Sequence, residues 1–153
     1  MRPMKKFLIP FFLLLLLAGC SSSNNNTITV GLKIELTGLA RSNDGTTLVS
    51  WRIVNPNIVS YLVDETTHRI YLNGTLVGTT QEKEVMAIPA QTNANRTTRL
   101  VTSGTTAERT LSEAIAASPA TYRTESIIIV RLYGDRTDKS SLTSAGKVPV
   151  TAN

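Results

Sequence analysis

The chain contains few residues that could carry out chemistry, and the spacing of these residues decides how each is interpreted. His68 is the only histidine, and Asp64 precedes it by four residues. A Ser–His–Asp site would need this histidine and an acid to orient it. A spacing of four residues across a loop and the start of a strand does not determine how the two side chains lie relative to each other. The sequence also contains no Gly-x-Ser-x-Gly elbow. We therefore expect no catalytic residue, and we expect His68 to lie at a strand edge.

Two pairs of acidic residues are the next candidates, because carboxylates bind metal ions. Asp64 is followed by Glu65, and Asp135 is separated from Asp138 by two residues. A metal site needs three or four histidine, cysteine or carboxylate ligands, and each pair supplies two. Charges on solvated loops explain both pairs. The sequence therefore predicts neither a metal site nor a cofactor.

Cys20 is the only cysteine, so the chain cannot form an intramolecular disulfide bond. It ends the tetrapeptide Leu17-Ala18-Gly19-Cys20, which resembles the lipobox of bacterial lipoproteins at all four positions. The resemblance implies that the thiol of Cys20 carries a diacylglyceryl group and that cleavage makes Cys20 the first residue. Two or more acyl chains hold a protein stably on a membrane. The alternative is a free thiol beside an ordinary cleavage site.

The residues before Cys20 have the composition of a secretory signal. Arg2, Lys5 and Lys6 form a basic start, and residues 7–18 form an apolar run. This run is shorter than the about 20 residues that span a bilayer. Three segments follow from this pattern: a lipoprotein signal peptide (1–19), a lipidated cysteine with a flexible Ser/Asn tether (20–26), and one folded domain (27–151).

The charge of the chain argues against a nucleic-acid partner. Three of the 16 lysines and arginines lie in the signal, so 13 remain against 11 acidic residues and the net charge falls from +5 to +2. The remaining basic residues are dispersed and not interleaved with aromatic residues. We expect the partners to be the membrane, through the lipid anchor, and envelope proteins, with the oligomeric state left open. Ser21 resembles Gram-negative sorting signals for the outer membrane, facing the periplasm, if the organism has one.

The apolar residues that follow alternate with a period of two, which is typical of strands. From Thr27 to Leu36 five apolar residues fall on one face, and residues 46–55 form a second alternating run around Trp51. Asn55-Pro56-Asn57 ends that second strand. Asn55 is biased toward an extended conformation by the proline, Pro56 has no N–H for a ladder, and the side chain of Asn57 can close the turn.

Asn73-Gly74 predicts a hairpin between strands at 67–72 and 75–79, because both central positions of a type I′ turn need positive φ. We expect a packed loop over 58–65 and a helix over 105–117, begun by a capping box of Thr105 and Glu108. The remaining expected elements are a central strand covered on both faces (125–133) and a last edge strand that tolerates Pro149 (147–151).

Seven to eight short strands with one short helix predict an all-β, immunoglobulin/fibronectin III-like β-sandwich, with a closed barrel as the alternative. The order of the motifs resembles the water stress and hypersensitive response (WHy) domain of type 2 late embryogenesis abundant (LEA type 2) proteins. The motifs that carry this resemblance are Asn55-Pro56-Asn57, Asn73-Gly74, Val77-Gly78 and Ile88-Pro89-Ala90. The resemblance implies a sandwich fold and protection under stress without catalysis.

Three functions are consistent with these features. The first is a non-enzymatic, membrane-anchored lipoprotein that protects envelope components under desiccation or other stress. The second is a β-sandwich adaptor or binding module of a cell-envelope protein complex, which binds through an edge strand or loops. The third is a carrier of an apolar ligand held between the two sheets.

Overall fold

The structure is a computed structural model that describes residues 31–131 and 136–152. In chain order its elements are β1 (Lys33–Arg41), β2 (Thr47–Asn55), β3 (Tyr61–Leu72), β4 (Thr75–Glu82), β5 (Met86–Ile88), β6 (Thr92–Arg99), β7 (Val101–Thr102), α1 (Thr105–Ala116), β8 (Ala120–Arg131), β9 (Thr137–Val148) and β10 (Val150–Ala152).

The strands form two separate sheets, so the chain is a β-sandwich and not a closed barrel. One sheet has the order β10-β1-β2-β6. The other has the order β7-β4-β3-β8-β9, and β5 also pairs with β3. The predicted all-β sandwich with one short helix is confirmed. Seven of the ten strands have eight or more residues, and the other three have two or three.

The core lies between the two sheets and is formed by residues that alternate along each strand. Trp51 is its largest side chain, and β2 alternates buried and less buried positions along its full length. α1 buries Ala107, Leu111 and Ala114 and packs against β4, β10 and β3. The helix therefore covers one part of the sandwich interior.

The predicted loop over 58–65 is wrong, because β3 begins at Tyr61 and most of this segment is strand. A bulge between Val63 and Glu65 interrupts the ladder to β8, and Asp64 lies in it. The extra residue shifts the inward-facing positions by one, and this conceals the period of two in the sequence. Pairing with β8 on one side and with β5 on the other makes the segment a strand.

β8 corresponds to the most apolar predicted strand, but it is not covered on both faces. It is central, between β3 and β9, and its residues alternate between buried and more exposed positions. Ile128 and Val130 are fully buried, whereas Ile127 is 37% exposed. The prediction was wrong because no element covers the outer face of the six-stranded sheet in the described part of the chain.

The start of α1 also differs from the prediction. Gly104 is the N-cap residue and no side chain caps the helix, so Thr105 is already helical and the proposed capping box is absent. The carboxylate of Glu108 instead forms an ion pair with Arg41 at the end of β1. A tertiary contact has replaced the local one.

The predicted last strand over 147–151 is also wrong, because Pro149 divides it between the two sheets. Val148 ends β9 in the six-stranded sheet, and Val150 begins β10, which runs parallel to β1 in the other sheet. Proline lacks the N–H that an unbroken ladder would require, so the chain changes sheet at this residue.

Candidate functional site

His68 is buried at the centre of the molecule and not at a strand edge, so that expectation is corrected. It lies on β3 with 1% of its surface exposed, and its Nδ1 is 2.8 Å from the Oγ of Ser126 on β8. Burial lowers the pKa of His68 from 6.5 to about 4, so the ring is neutral at pH 7. A histidine and a serine therefore meet, but in the interior of the core.

The acid that was considered as a partner for His68 makes a different contact. Asp64 lies in the β3 bulge and accepts two hydrogen bonds from the guanidinium of Arg131, at 2.6 and 3.1 Å. Glu65 accepts a hydrogen bond of 2.6 Å from Gln81. Asp64 and Glu65 are therefore strand residues and not loop residues, which corrects that interpretation. Asp138 lies on β9, and Asp135 lies outside the described residues.

Within residues 31–131 and 136–152 no three histidine, cysteine or acidic side chains come close enough to hold a metal ion together. In the same ranges no helix is both long and apolar enough to cross a membrane. Cys20, the signal segment, the tether and residues 27–30 of the first predicted strand lie outside the described part of the chain.

Asn55 organises the loops at one end of the sandwich. Its Nδ2 donates to the carbonyl oxygens of Val59 at 2.8 Å and Pro89 at 3.0 Å, and its Oδ1 accepts from the backbone N–H of Asn57 at 3.0 Å. A longer contact of 3.4 Å reaches the carbonyl of Ile88. One buried amide therefore joins the β2–β3 loop, which contains Pro56, to the loop that follows β5.

Two more hydrogen bonds join the same pair of loops. The N–H of Gln91 donates to the carbonyl of Asn57 at 2.9 Å, and the N–H of Ala90 donates to the Oγ of Ser60 at 3.1 Å. At the other end of the sandwich Asn73 and Gly74 have φ values of 48° and 85°, as a type I′ turn requires. The polar groups of both motifs are occupied by the fold itself.

A groove between the edges of the two sheets is the candidate binding site, and we call it the seam groove. It has a volume of about 510 Å³. Its walls are residues 32–36 of β1 and the chain before it, residues 142–147 of β9, and the ring of Tyr122. Because β10 pairs with β1 only from Leu39 to Arg41, the first half of β1 has no strand on this side within the described part of the chain.

β9 forms the second wall, and it is also the last strand of its sheet. It pairs with β8 along its whole length and has no strand on its other side in the described ranges. The groove is closed at one end, where the N–H of Leu39 donates to the carbonyl of Pro149 at 3.0 Å. Two backbone edges therefore border one groove.

The side chains of the groove are apolar at its base and charged at its rims. Leu32, Ile34 and Leu36 form the base and are each no more than 5% exposed. Lys33 and Lys147 stand at the rims, on β1 and β9, and both are exposed. Glu35 also lines the groove, but its carboxylate is paired with the guanidinium of Arg52 at 2.6 Å. Between Lys139 and Lys147 β9 carries only uncharged residues. This arrangement can accept an extended backbone and favours acidic residues within it.

The groove is not evident from the sequence, although an edge strand is an expected means of binding for such a module. The polar run at 140–146, with four Ser or Thr residues in seven, has a weak apolar period, so β9 was not predicted.

Tyr71 and Tyr122 lie in different environments, which the sequence around each of them does not distinguish. Tyr122 is 6% exposed in the core, whereas the ring of Tyr71 lies under the guanidinium of Arg123 on the outer face at 3.9 Å. Tyr133 lies outside the described residues.

The start of the chain matches the model of a known protein family. Residues 4–21 match the model of the prokaryotic membrane lipoprotein lipid attachment site, and this segment includes Cys20. The chain is accordingly a lipid-anchored protein of the cell envelope. No curated protein matches the sequence.

Solved structures of low sequence identity resemble the chain. A solution structure of AT1g01470 from Arabidopsis thaliana aligns with a TM-score of 0.52 and 12% identity, over 79% of each chain. A crystal structure of a protein from Archaeoglobus fulgidus aligns with a TM-score of 0.47 and 15% identity, over 77% of this chain and 94% of that chain. The CARDB domain of a Pyrococcus furiosus protein, in complex with di-metal ions, aligns with a TM-score of 0.32 and 12% identity, over 80% of this chain and 92% of that chain.

Proposed function

We propose that this protein is a non-enzymatic binding module of the cell envelope that holds an extended segment of another envelope protein in the seam groove. The observation that carries this proposal is the pair of free backbone edges, residues 33–36 of β1 and 142–147 of β9, which border one groove and pair with no further strand in residues 31–131 and 136–152. An added strand obtains main-chain hydrogen bonds from such an edge, while alternate side chains enter the apolar base.

The segment that fits is uncharged at its centre and acidic toward its ends. Lys33 and Lys147 would pair with acidic residues, and the leucines and Ile34 at the base would receive apolar ones. Lysines on an exposed edge also oppose indiscriminate pairing, because an uncharged segment cannot compensate for the desolvation of the ammonium groups. The edge would thus select its partner by charge as well as by shape.

The proposal that the protein is not an enzyme rests on the buried position of His68. Its Nδ1 is occupied by Ser126, and the nearest considered acid, Asp64, is engaged by Arg131. A substrate would have to enter the closed core to reach the ring. We place the module at the outer membrane, facing the periplasm, on the strength of Ser21 after the lipidated cysteine.

Site-specific photo-crosslinking tests the binding role. A photoreactive amino acid replaces Thr143, which is exposed on β9 within the groove, in cells that express the full chain. Thr97 is the matched control, because it is an exposed threonine on β6, an edge strand on the far side of the other sheet. We expect one reproducible adduct of a single mass at position 143, and weaker crosslinking when Lys147→Glu is added.

Equal adducts at positions 143 and 97, or no adduct at 143, would refute the binding role of the groove. An adduct with twice the mass of the protein would show that the groove binds a second copy of this chain and not another protein. Mass spectrometry of the adduct distinguishes the two.

A second function, protection of envelope components under desiccation or other stress, is supported by the resemblance to WHy domains. Two of the four motifs that carry the resemblance are in contact, because Asn55 donates to the carbonyl of Pro89 and the N–H of Ala90 donates to Ser60. The test is inactivation of a reporter enzyme on drying, with and without the full chain in vesicles. Equal protection by an unrelated anchored sandwich protein would exclude a specific role.

A further inference from the structure

The loops around Asn55 lie at the end of the sandwich where the chain enters from its anchor. Lys33 at the start of β1 pairs with Val54 at the end of β2, so the β2–β3 loop adjoins the entry point. A Cβ on Gly31 would lie 3.4 Å from the Cγ of Pro56. The first described residue therefore touches this loop.

The tip of the same loop carries the most exposed large apolar side chain in the described ranges. Ile58 is 83% exposed and Val59 is 51% exposed. Residues 56–60 and 89–91, which form the loops around Asn55 at this end of the sandwich, include no charged residue. We call these two segments the entry loops. Two adjacent exposed apolar side chains on uncharged loops are suited to contact with a partner or with a membrane.

The entry loops hold these side chains outward on a rigid frame. Asn55 fixes the carbonyl of Val59 at 2.8 Å, and Gln91 and Ala90 bind Asn57 and Ser60 across the two loops. The loop cannot fold back to bury Ile58 without breaking these bonds. The exposure of Ile58 is therefore built into the fold.

The anchor limits how far this end of the sandwich can lie from lipid. Ten residues, 21–30, separate Cys20 from Gly31. Ten residues span at most about 35 Å even when fully extended. The entry loops lie beside Gly31 in space and are therefore held within about this distance of the lipidated cysteine.

From these observations we propose that the entry loops rest on the membrane that holds the lipid anchor, with Ile58 and Val59 inserted at the boundary between headgroups and acyl chains. The lipid surface is the occupant that the geometry favours, because the anchor delivers it to this end. The seam groove then faces sideways along the membrane. The inference depends on lipid anchoring and not on the proposed binding of a protein segment.

Depth-dependent fluorescence quenching tests this orientation on the full lipidated chain in vesicles of phosphatidylethanolamine and phosphatidylglycerol. Ile58→Cys is labelled with an environment-sensitive dye, and nitroxide groups are placed on the upper acyl chains of the lipid. Asn43→Cys is the matched control, because Asn43 is exposed in the β1–β2 turn at the other end of the sandwich. We expect quenching at position 58 to exceed that at position 43 several-fold, with blue-shifted emission only at 58.

Equal, weak quenching at both positions would overturn the proposal. Both side chains are exposed, so neither substitution is expected to impair folding, and circular dichroism of each variant verifies this. The parent chain is labelled in parallel, because lipidation consumes the thiol of Cys20. Dye uptake by the parent chain would show that Cys20 is free and would remove the premise of the proposal.

Discussion

The imidazole of His68 meets the indole of Trp51 edge-on, with ring centroids 4.5 Å apart and an interplanar angle of 61°. Trp51 lies on β2 and His68 on β3, so this contact joins the two sheets through the middle of the core. The indole Nε1 donates to the Oγ1 of Thr98 at 3.1 Å, and His68 contacts Ser126. The only tryptophan and the only histidine thus form a polar bridge inside the sandwich.

This burial predicts a loss of stability in acid. The pKa of His68 is lowered by burial from 6.5 to about 4, so between these values the unfolded chain binds the proton and the folded chain does not. Stability is therefore fully present above pH 6.5 and falls as the pH is lowered toward 4. A shift of this size corresponds to a loss of about 3 kcal/mol. Urea unfolding at pH 7, 5.5 and 4.5, followed by Trp51 fluorescence, measures it.

His68→Gln is the control for this prediction, since glutamine does not titrate. The variant is expected to be less stable at pH 7 but nearly independent of pH between 7 and 5. Acidic groups such as Glu125, whose pKa is lowered chiefly by its hydrogen bond to Arg123, act at lower pH in both proteins. An unchanged pH dependence in the variant would contradict the assignment to His68.

Replacing Asn55 tests whether the amide frame of the entry loops stabilises the fold. Asn55→Ala removes the buried amide that donates to the part-buried carbonyl oxygens of Val59 and Pro89. Lost buried hydrogen bonds cost about 1–3 kcal/mol each, so we expect a loss of about 2–4 kcal/mol in the free energy of unfolding. Asn93→Ala, on an exposed position of β6, should change the free energy little.

Two glycines of the β3–β4 region are predicted to respond differently to alanine. A Cβ on Gly78 would lie 2.3 Å from the carbonyl oxygen of Val101, so Gly78→Ala must displace β7. Gly74 has open space around it and a φ of 85°, so Gly74→Ala meets only backbone strain. We expect Gly74→Ala to lower the free energy of unfolding by about 1 kcal/mol and Gly78→Ala to lower it by more. Equal losses in thermal unfolding would disprove the close approach of β7.

Thr80 and Thr98 form a matched pair of buried threonines. The Oγ1 of Thr80 has no hydrogen-bond partner among the described residues, whereas the Oγ1 of Thr98 accepts from Trp51. Thr80→Val should be neutral or stabilising, because it removes an unpaired polar atom from the core. Thr98→Val should cost about 1–3 kcal/mol, because it leaves the indole N–H unpaired. Destabilisation of both variants by the same amount would contradict this difference.

Strands that follow a simple period are predictable from sequence, and those that contain irregularities are not. Residues 46–55 alternate cleanly, and β2 is found at Thr47–Asn55. The bulge at Asp64 hid the first half of β3, and the polar composition of β9 hid that strand entirely. In both cases the strand exists because it pairs with β8, and that pairing is absent from any local window of sequence.

The sequence by itself determined the lipid attachment segment, the all-β class and the Asn73-Gly74 hairpin. Each of these depends on residues that are adjacent in the chain: a cleavage motif, a period of two, and two positions that need positive φ. The tertiary structure alone decided that His68 is buried beside Trp51, that Asn55 joins two loops, and that β1 and β9 leave a groove between them. These features arise from contacts between residues far apart in the chain, and which polar group is buried or paired follows only from the folded arrangement.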